Sequence, residues 1–246
     1  VDIEAYLSQG LPGMTIVGLP DTAVGEARDR VRAAVLNSTL AWPTERRITV
    51  GLSPASVHKR GAALDLGIAL AILAAHSQIP EMANTIAVGE LALDGKVRPV
   101  RGVLVAALCA YRNGYGRLLV PHTQVAEAQL VPGLTVVGVS CLGDAVAYLR
   151  GESIDVSIVA PPEIVTPEIP DLADVRGQSN ARHALEIAAA GGHHLAFLGS
   201  PGVGKTMLAK RLVGILPALT PAESLEVASV AAFAGIREHV WGQRPF

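Results

Sequence analysis

Gly199-Ser-Pro-Gly-Val-Gly-Lys-Thr206 governs how the rest of the chain is read. Gly199, Gly204, Lys205 and Thr206 occupy every fixed position of G-x-x-x-x-G-K-[ST], the spacing of a phosphate-binding loop. Ser200, Pro201, Gly202 and Val203 fill the four positions between them. The chemistry needs these residue types in this order. Gly202 and Gly204 let the backbone curl so that successive N–H groups turn toward phosphate oxygens. Lys205 brings a mobile positive charge to the β- and γ-phosphates, and the Thr206 hydroxyl ligates Mg²⁺. The flanks agree: His194 to Leu198 reads as a short apolar strand and Met207 to Leu216 as a helix whose N-terminus favours an anion. The expected ligands are ATP and Mg²⁺.

Working upstream, Asp171-Leu-Ala-Asp-Val-Arg-Gly-Gln178 precedes a helix-like run from Ala181 to Ala190. Before it, residues 151–170 read as a linker, because Pro161, Pro162, Pro167 and Pro170 interrupt any helix and favour extended backbone. The boundary is placed near Val165, leaving an N-terminal domain at 1–150 and a C-terminal segment at 171–246. In the N-terminal part, Met14 to Gly18 reads as a buried strand, Asp21 as an N-cap and Thr22 to Leu36 as one helix. Arg46 to Leu52 reads as a strand and Leu64 to Ala75 as a buried helix. Thr85 to Leu91 and Val97 to Val100 flank Asp94-Gly95, a strong hairpin signal. Gly102 to Tyr111 reads as a helix, Arg117 to Val120 as a strand, and a helix–strand–helix run ends at Leu149. The expected fold class is α/β.

Composition narrows the function classes. The 246 residues carry 20 Lys and Arg against 22 Asp and Glu, a net charge of −2, which excludes a basic nucleic-acid binder throughout. Half the residues are hydrophobic and 17% are charged, which excludes a disordered chain. Two cysteines, Cys109 and Cys141, make no disulfide framework. The longest apolar stretch, Leu66 to Ala75, is far short of the ~20 residues that span a bilayer. A cytoplasmic protein without membrane partners is expected. Positive charge is concentrated locally: between Glu26 and Arg60, seven basic residues face three acidic ones, an excess of +4. Arg28 and Arg32 share a helix face four residues apart, and Arg46 and Arg47 follow. These four read either as DNA phosphate contacts or as a solvated face with subunit contacts.

Val175, Gly177 and Gln178, lying before a helix and a phosphate-binding loop, resemble an AAA+ ATPase, in which this segment borders the adenine base. Asn37 to Pro54, Gly61 to Ile72 and Gly89 to Gly102 resemble the Lon-protease-type, ribosomal-S5-domain-2-like fold. Gly18-Leu-Pro-Asp21, Gly89-Glu-Leu and Gly191-Gly-His-His194, in that order with the loop, are similar to the Mg-chelatase-like competence-protein family, ComM/YifB. That resemblance covers nearly the whole chain. It implies an N-terminal Lon-like domain followed by part of an AAA+ domain, in a hexamer-type homo-oligomeric ring that acts on DNA in transformation or recombination. A chelatase-type motor driving Mg²⁺ insertion into a porphyrin with a partner subunit is the alternative.

Lon-like proteolysis by a Ser–Lys dyad is a weaker alternative, because the sequence departs from the pattern. Ala62 and Ala63 stand where the serine is expected, and the helix around Ala106 has no lysine. Ser53, Ser56 and Lys59 offer a substitute, but a loop serine beside a lysine more often caps a turn. After Thr206 no apolar strand ends in Asp-Glu; Glu223, Glu226 and Glu238 sit in helical or loop-like sequence. The chain therefore reads as a piece of a longer protein, with the second acidic motif and the arginine finger expected beyond Phe246. As a fragment it is expected to bind nucleotide poorly and hydrolyse little.

Overall fold

A computed structural model describes residues 1–153, 169–234, 236 and 242–245. Pro161, Pro162, Pro167, the expected boundary at Val165, and Glu238 lie outside these residues. The chain divides into two compact units, Val1–Pro162 and Glu163–Phe246.

The first unit is built around a helix that is apolar on all sides. In α3 (Asp65–Ala75), Leu66, Ile68, Ala69, Leu70, Ile72 and Leu73 are fully buried, the pattern of a helix packed on every face. It packs against α2 (Ala27–Asn37) and against a three-stranded sheet of order β1-β3-β2. In that sheet β1 (Asp2–Ser8) runs antiparallel to β3 (Arg47–Ser53), and β2 (Gly13–Val17) runs parallel to it. Ile48, Val50 and Leu52 alternate along β3 toward the core, while Arg47 and Ser53 point to solvent. The strand β2 ends at Gly18, φ +109°, where a Cβ would collide with the Leu52 carbonyl oxygen, so only glycine fits.

A second sheet, entirely parallel, has the order β4-β7-β8 from Thr85–Ala87, Arg117–Pro121 and Thr135–Val139. Helices α4 (Val103–Arg112), α5 (Val125–Ala128) and α6 (Leu142–Leu149) accompany it. The hairpin expected at Asp94-Gly95 forms, but between the short strands β5 (Glu90–Leu91) and β6 (Val97–Arg98). The single arm Thr85 to Leu91 does not form. The Val88 amide still bonds the Leu119 carbonyl, whereas the Gly89 amide turns to the Ala63 carbonyl, and there the chain changes sheets. The expected helix Thr22 to Leu36 is likewise divided into α1 (Thr22–Gly25) and α2, with Glu26 between them and the poor helix former Gly25 at the break. Asp21 caps α1 as expected, accepting from the Val24 amide at 2.8 Å.

In the second unit, α7 (Ser179–Gly191), α8 (Lys205–Ile215) and α9 (Pro221–Ala234) are the described helices. Leu172, Val175, Leu185 and Leu208 form its buried cluster, with Phe197 and Leu212 packed on it. The strand expected at His194 to Leu198 is not formed. No described segment of this unit is a strand, so there is no ladder partner, and Leu198 is 96% exposed. Among the described residues no helix is long and apolar enough to cross a membrane. Mixed helices with parallel sheet make the fold α/β, as the sequence led us to expect.

Candidate nucleotide site

Residues 199–206 run from irregular chain into the first turn of α8. Gly202 and Gly204 both hold φ of +86°, a region L-residues rarely adopt. A Cβ on Gly204 would come within 3.1 Å of the Gln178 amide nitrogen and 3.3 Å of Met207 Cε. This is a cradle that a side chain would fill. Gly204 is the N-cap of α8, and the first turn of that helix carries no acidic residue. Its free N–H groups and the positive end of its dipole are therefore left to an anion.

Lys205 is half-buried, and its ammonium donates to the Gly199 and Ser200 carbonyls, each at 2.8 Å. An ammonium has three protons, so one donor remains for a phosphate oxygen. Thr206 is exposed in the first turn of α8, its hydroxyl available to a cation. Ser200, Pro201 and Val203 are exposed along the outer edge of the loop.

Of the upstream trio, Gln178 is brought to this loop: its side-chain amide donates to the Val203 carbonyl at 3.0 Å. Gln178 holds a left-handed backbone, φ +50°, directly after Gly177 at φ +70°. Such a backbone costs a non-glycine residue on the order of 1–2 kcal/mol, and here the cost is spent where the segment ties to the loop. Val175 goes elsewhere. Its side chain is 3% exposed within the small core, and its carbonyl accepts from Arg182 at 3.2 Å. Its contribution to the site is to anchor the turn that carries Gln178. Arg211, which the sequence reading missed, does similar work, donating to the Asp171 carbonyl at 2.8 Å and to the Met207 carbonyl at 3.0 Å. A cavity of about 820 Å³ lined by Lys210, Val213, Val227 and Val230 includes no residue of the loop.

In the first unit, Arg28, Arg32 and Arg46 line one concavity of about 310 Å³ with Asp29, Trp42 and Thr44. Arg47, the next residue into β3, does not line it. Trp42 was missed from sequence, although a tryptophan between two arginine pairs is a readable signal. At the dyad positions, Ala62 and Ala63 lie in a 3-10 turn before α3, and α4 holds no lysine. Lys59 is 2% exposed and its ammonium donates to the Pro54 carbonyl; among the described residues no hydrogen bond joins it to a serine.

The family model described as subunit ChlI of Mg-chelatase matches residues 3–124, and that described as magnesium chelatase, subunit ChlI, matches residues 171–246. An uncharacterised protein of Mycobacterium tuberculosis is 50% identical over 96% of this chain and 47% of its own length. The competence protein ComM of Haemophilus influenzae is 43% identical over 100% of this chain and 50% of its own. The uncharacterised YifB of Escherichia coli is 41% identical over 100% of this chain and 49% of its own. The chain thus spans about half the length of the relatives it matches. On these matches the chain belongs to the Mg-chelatase-like ComM/YifB family and is an AAA+ family member.

Proposed function

We propose that the whole protein is an ATP-hydrolysing AAA+ motor of the cytoplasm, assembled as a hexamer-type ring and acting on DNA. The observation that carries the ATP reading is the loop 199–206, with two glycines at φ +86° and Lys205 held across its mouth by two carbonyls. In this reading the amides opening α8 bind the β-phosphate, Lys205 offsets charge on the γ-phosphate, and Gln178 keeps the adenine-side segment against the loop. Mg²⁺, held through Thr206, supplies charge neutralisation between the β- and γ-phosphates when bound. The DNA reading is supported by the arginines of the first unit and by a relative named a competence protein.

Titrating full-length protein with a fluorescent ATP analogue tests the site. Lys205→Ala is expected to weaken binding by about 10- to 100-fold, the loss of one charge-assisted contact, with an unchanged circular-dichroism spectrum. Equal affinity in the variant overturns the assignment.

That both matching families are magnesium-chelatase subunits favours a second reading, a chelatase-type motor that drives Mg²⁺ insertion into a porphyrin. The two readings differ in partner. Stimulation of turnover by DNA supports the first, and dependence on a porphyrin-binding subunit supports the second. Proteolysis is disfavoured, because the dyad positions hold Ala62, Ala63 and a lysine-free α4.

A further inference from the structure

We propose that the concavity beside α2 and the start of β2 is a second anion site, holding the phosphodiester backbone of a nucleic-acid strand through Arg28, Arg32 and Arg46. This rests on the reading of the whole protein as a motor acting on DNA, and it names where the first unit meets that strand.

Helix α2 divides its arginines between two tasks. Arg30 turns inward, where its Nε donates to Asp65 at 2.7 Å and its second nitrogen to Asp65 at 3.1 Å and to the Ala23 carbonyl at 2.8 Å. That guanidinium is committed to the fold. Arg28 and Arg32 turn outward, and the chain then loops through Trp42 and Thr44 to bring Arg46 to the same concavity. Among the described residues none of these three forms an ion pair, while Arg30 forms two. The lining holds a single carboxylate, Asp29, so three cations face one anion in a chain whose total is −2. All three are exposed, so their guanidinium groups are open to an anion.

The arrangement fits a chain of phosphates better than one carboxylate. Guanidinium forks match phosphate oxygens two at a time. Residues four apart on a helix are about 6 Å apart at Cβ, the scale on which an extended strand presents successive phosphates. Arg46 adds a third guanidinium to the same concavity from a separate element. Trp42 lies half-buried among the arginines, giving an apolar surface on which a sugar or base can rest. An acidic surface on a neighbouring subunit is the competing occupant, and the test separates the two.

The test uses full-length protein and a labelled single-stranded oligonucleotide, followed by anisotropy across a salt series. Replacing the three residues together, R28Q/R32Q/R46Q, is expected to weaken binding by about 100-fold at fixed salt. The slope of log affinity against log salt is expected to flatten by roughly 2, about 0.7 for each phosphate released. R60Q, an exposed arginine of the same basic stretch outside the concavity, is expected to change affinity less than about twofold. W42F is expected to abolish the part of the tryptophan emission change that accompanies binding. If the triple variant does not fold by circular dichroism, R28Q and R46Q singly are each expected to flatten the slope by about 0.7. A triple variant with wild-type affinity and slope, where the wild type binds, removes the site and leaves the motor on DNA standing. A triple variant that loses oligomer mass in light scattering assigns these arginines to a subunit contact and overturns the proposal. Wild-type protein that binds no nucleic acid sinks both readings together.

Discussion

Asp65 is a carboxylate with 1% exposure at the first turn of the central helix α3, and its neighbours decide what that costs. Burial pushes it above the usual carboxylate range, and the bidentate Arg30 together with the Leu91 amide pulls it part of the way back. The hydrogen bond to Asp65 in turn raises Arg30. A carboxyl whose folded value lies above its unfolded one favours the folded state most at low pH, and that contribution is lost as pH rises through the interval between the two. Arg30→Met leaves the charge buried and unpaired, with an expected cost of about 3–5 kcal/mol at neutral pH. Because the stranded carboxyl then takes up a proton more readily, the cost is expected to shrink as pH falls from neutral toward the ordinary carboxylate range. Urea midpoints for both proteins across that range check this, and a pH-independent difference contradicts it. At the same scale, the position of Val175 before Gly177 and Gln178 is visible in sequence, whereas the direction of its side chain is set by packing against Leu172, Leu185 and Leu208.

Elements were legible where one local signal was sufficient. Asp21 as a cap, the Asp94-Gly95 hairpin, the apolar helix after Leu64 and the helix after the glycine-rich loop, expected from Met207 and formed from Lys205, all follow from neighbouring residues. Elements that depend on distant partners were not. Whether Thr85 to Leu91 is one strand depends on Leu119 and Ala63, which compete for successive amides. His194 to Leu198 has the composition of a strand but no described ladder partner. The grouping of Arg28, Arg32 and Arg46 needed the fold as well, since Arg46 arrives from the next element. Asp21 shows how much one residue can join at this scale. One oxygen caps α1 through Val24, and the other accepts from the Gly61 amide at 3.1 Å, tying the helix start to the turn before α3. Asp21→Ala is expected to cost about 1–2 kcal/mol and Asp21→Asn less, read from urea unfolding of the first unit. Equal loss in both variants means that charge and not capping sets the energy.

Among the described residues the two units differ in the size of their buried apolar clusters. The main cluster of the first runs from Val24 through Leu70 to Val146, whereas that of the second rests on Leu172, Val175, Leu185 and Leu208. The 246-residue chain is therefore expected to unfold in two calorimetric steps, the second unit first. Leu208→Ala, costing about 2–5 kcal/mol, should lower only the first step, and Leu70→Ala only the second. A single transition moved by both variants contradicts this division. The loop proposed to bind nucleotide belongs to the second unit, and the relatives that this chain matches are about twice its length, so the test uses the full-length protein. The most direct measurement is steady-state ATP turnover by that full-length protein with and without single-stranded DNA. The account predicts Mg²⁺-dependent hydrolysis that DNA raises and Lys205→Ala abolishes; turnover that survives in Lys205→Ala, or none in the wild type, contradicts it.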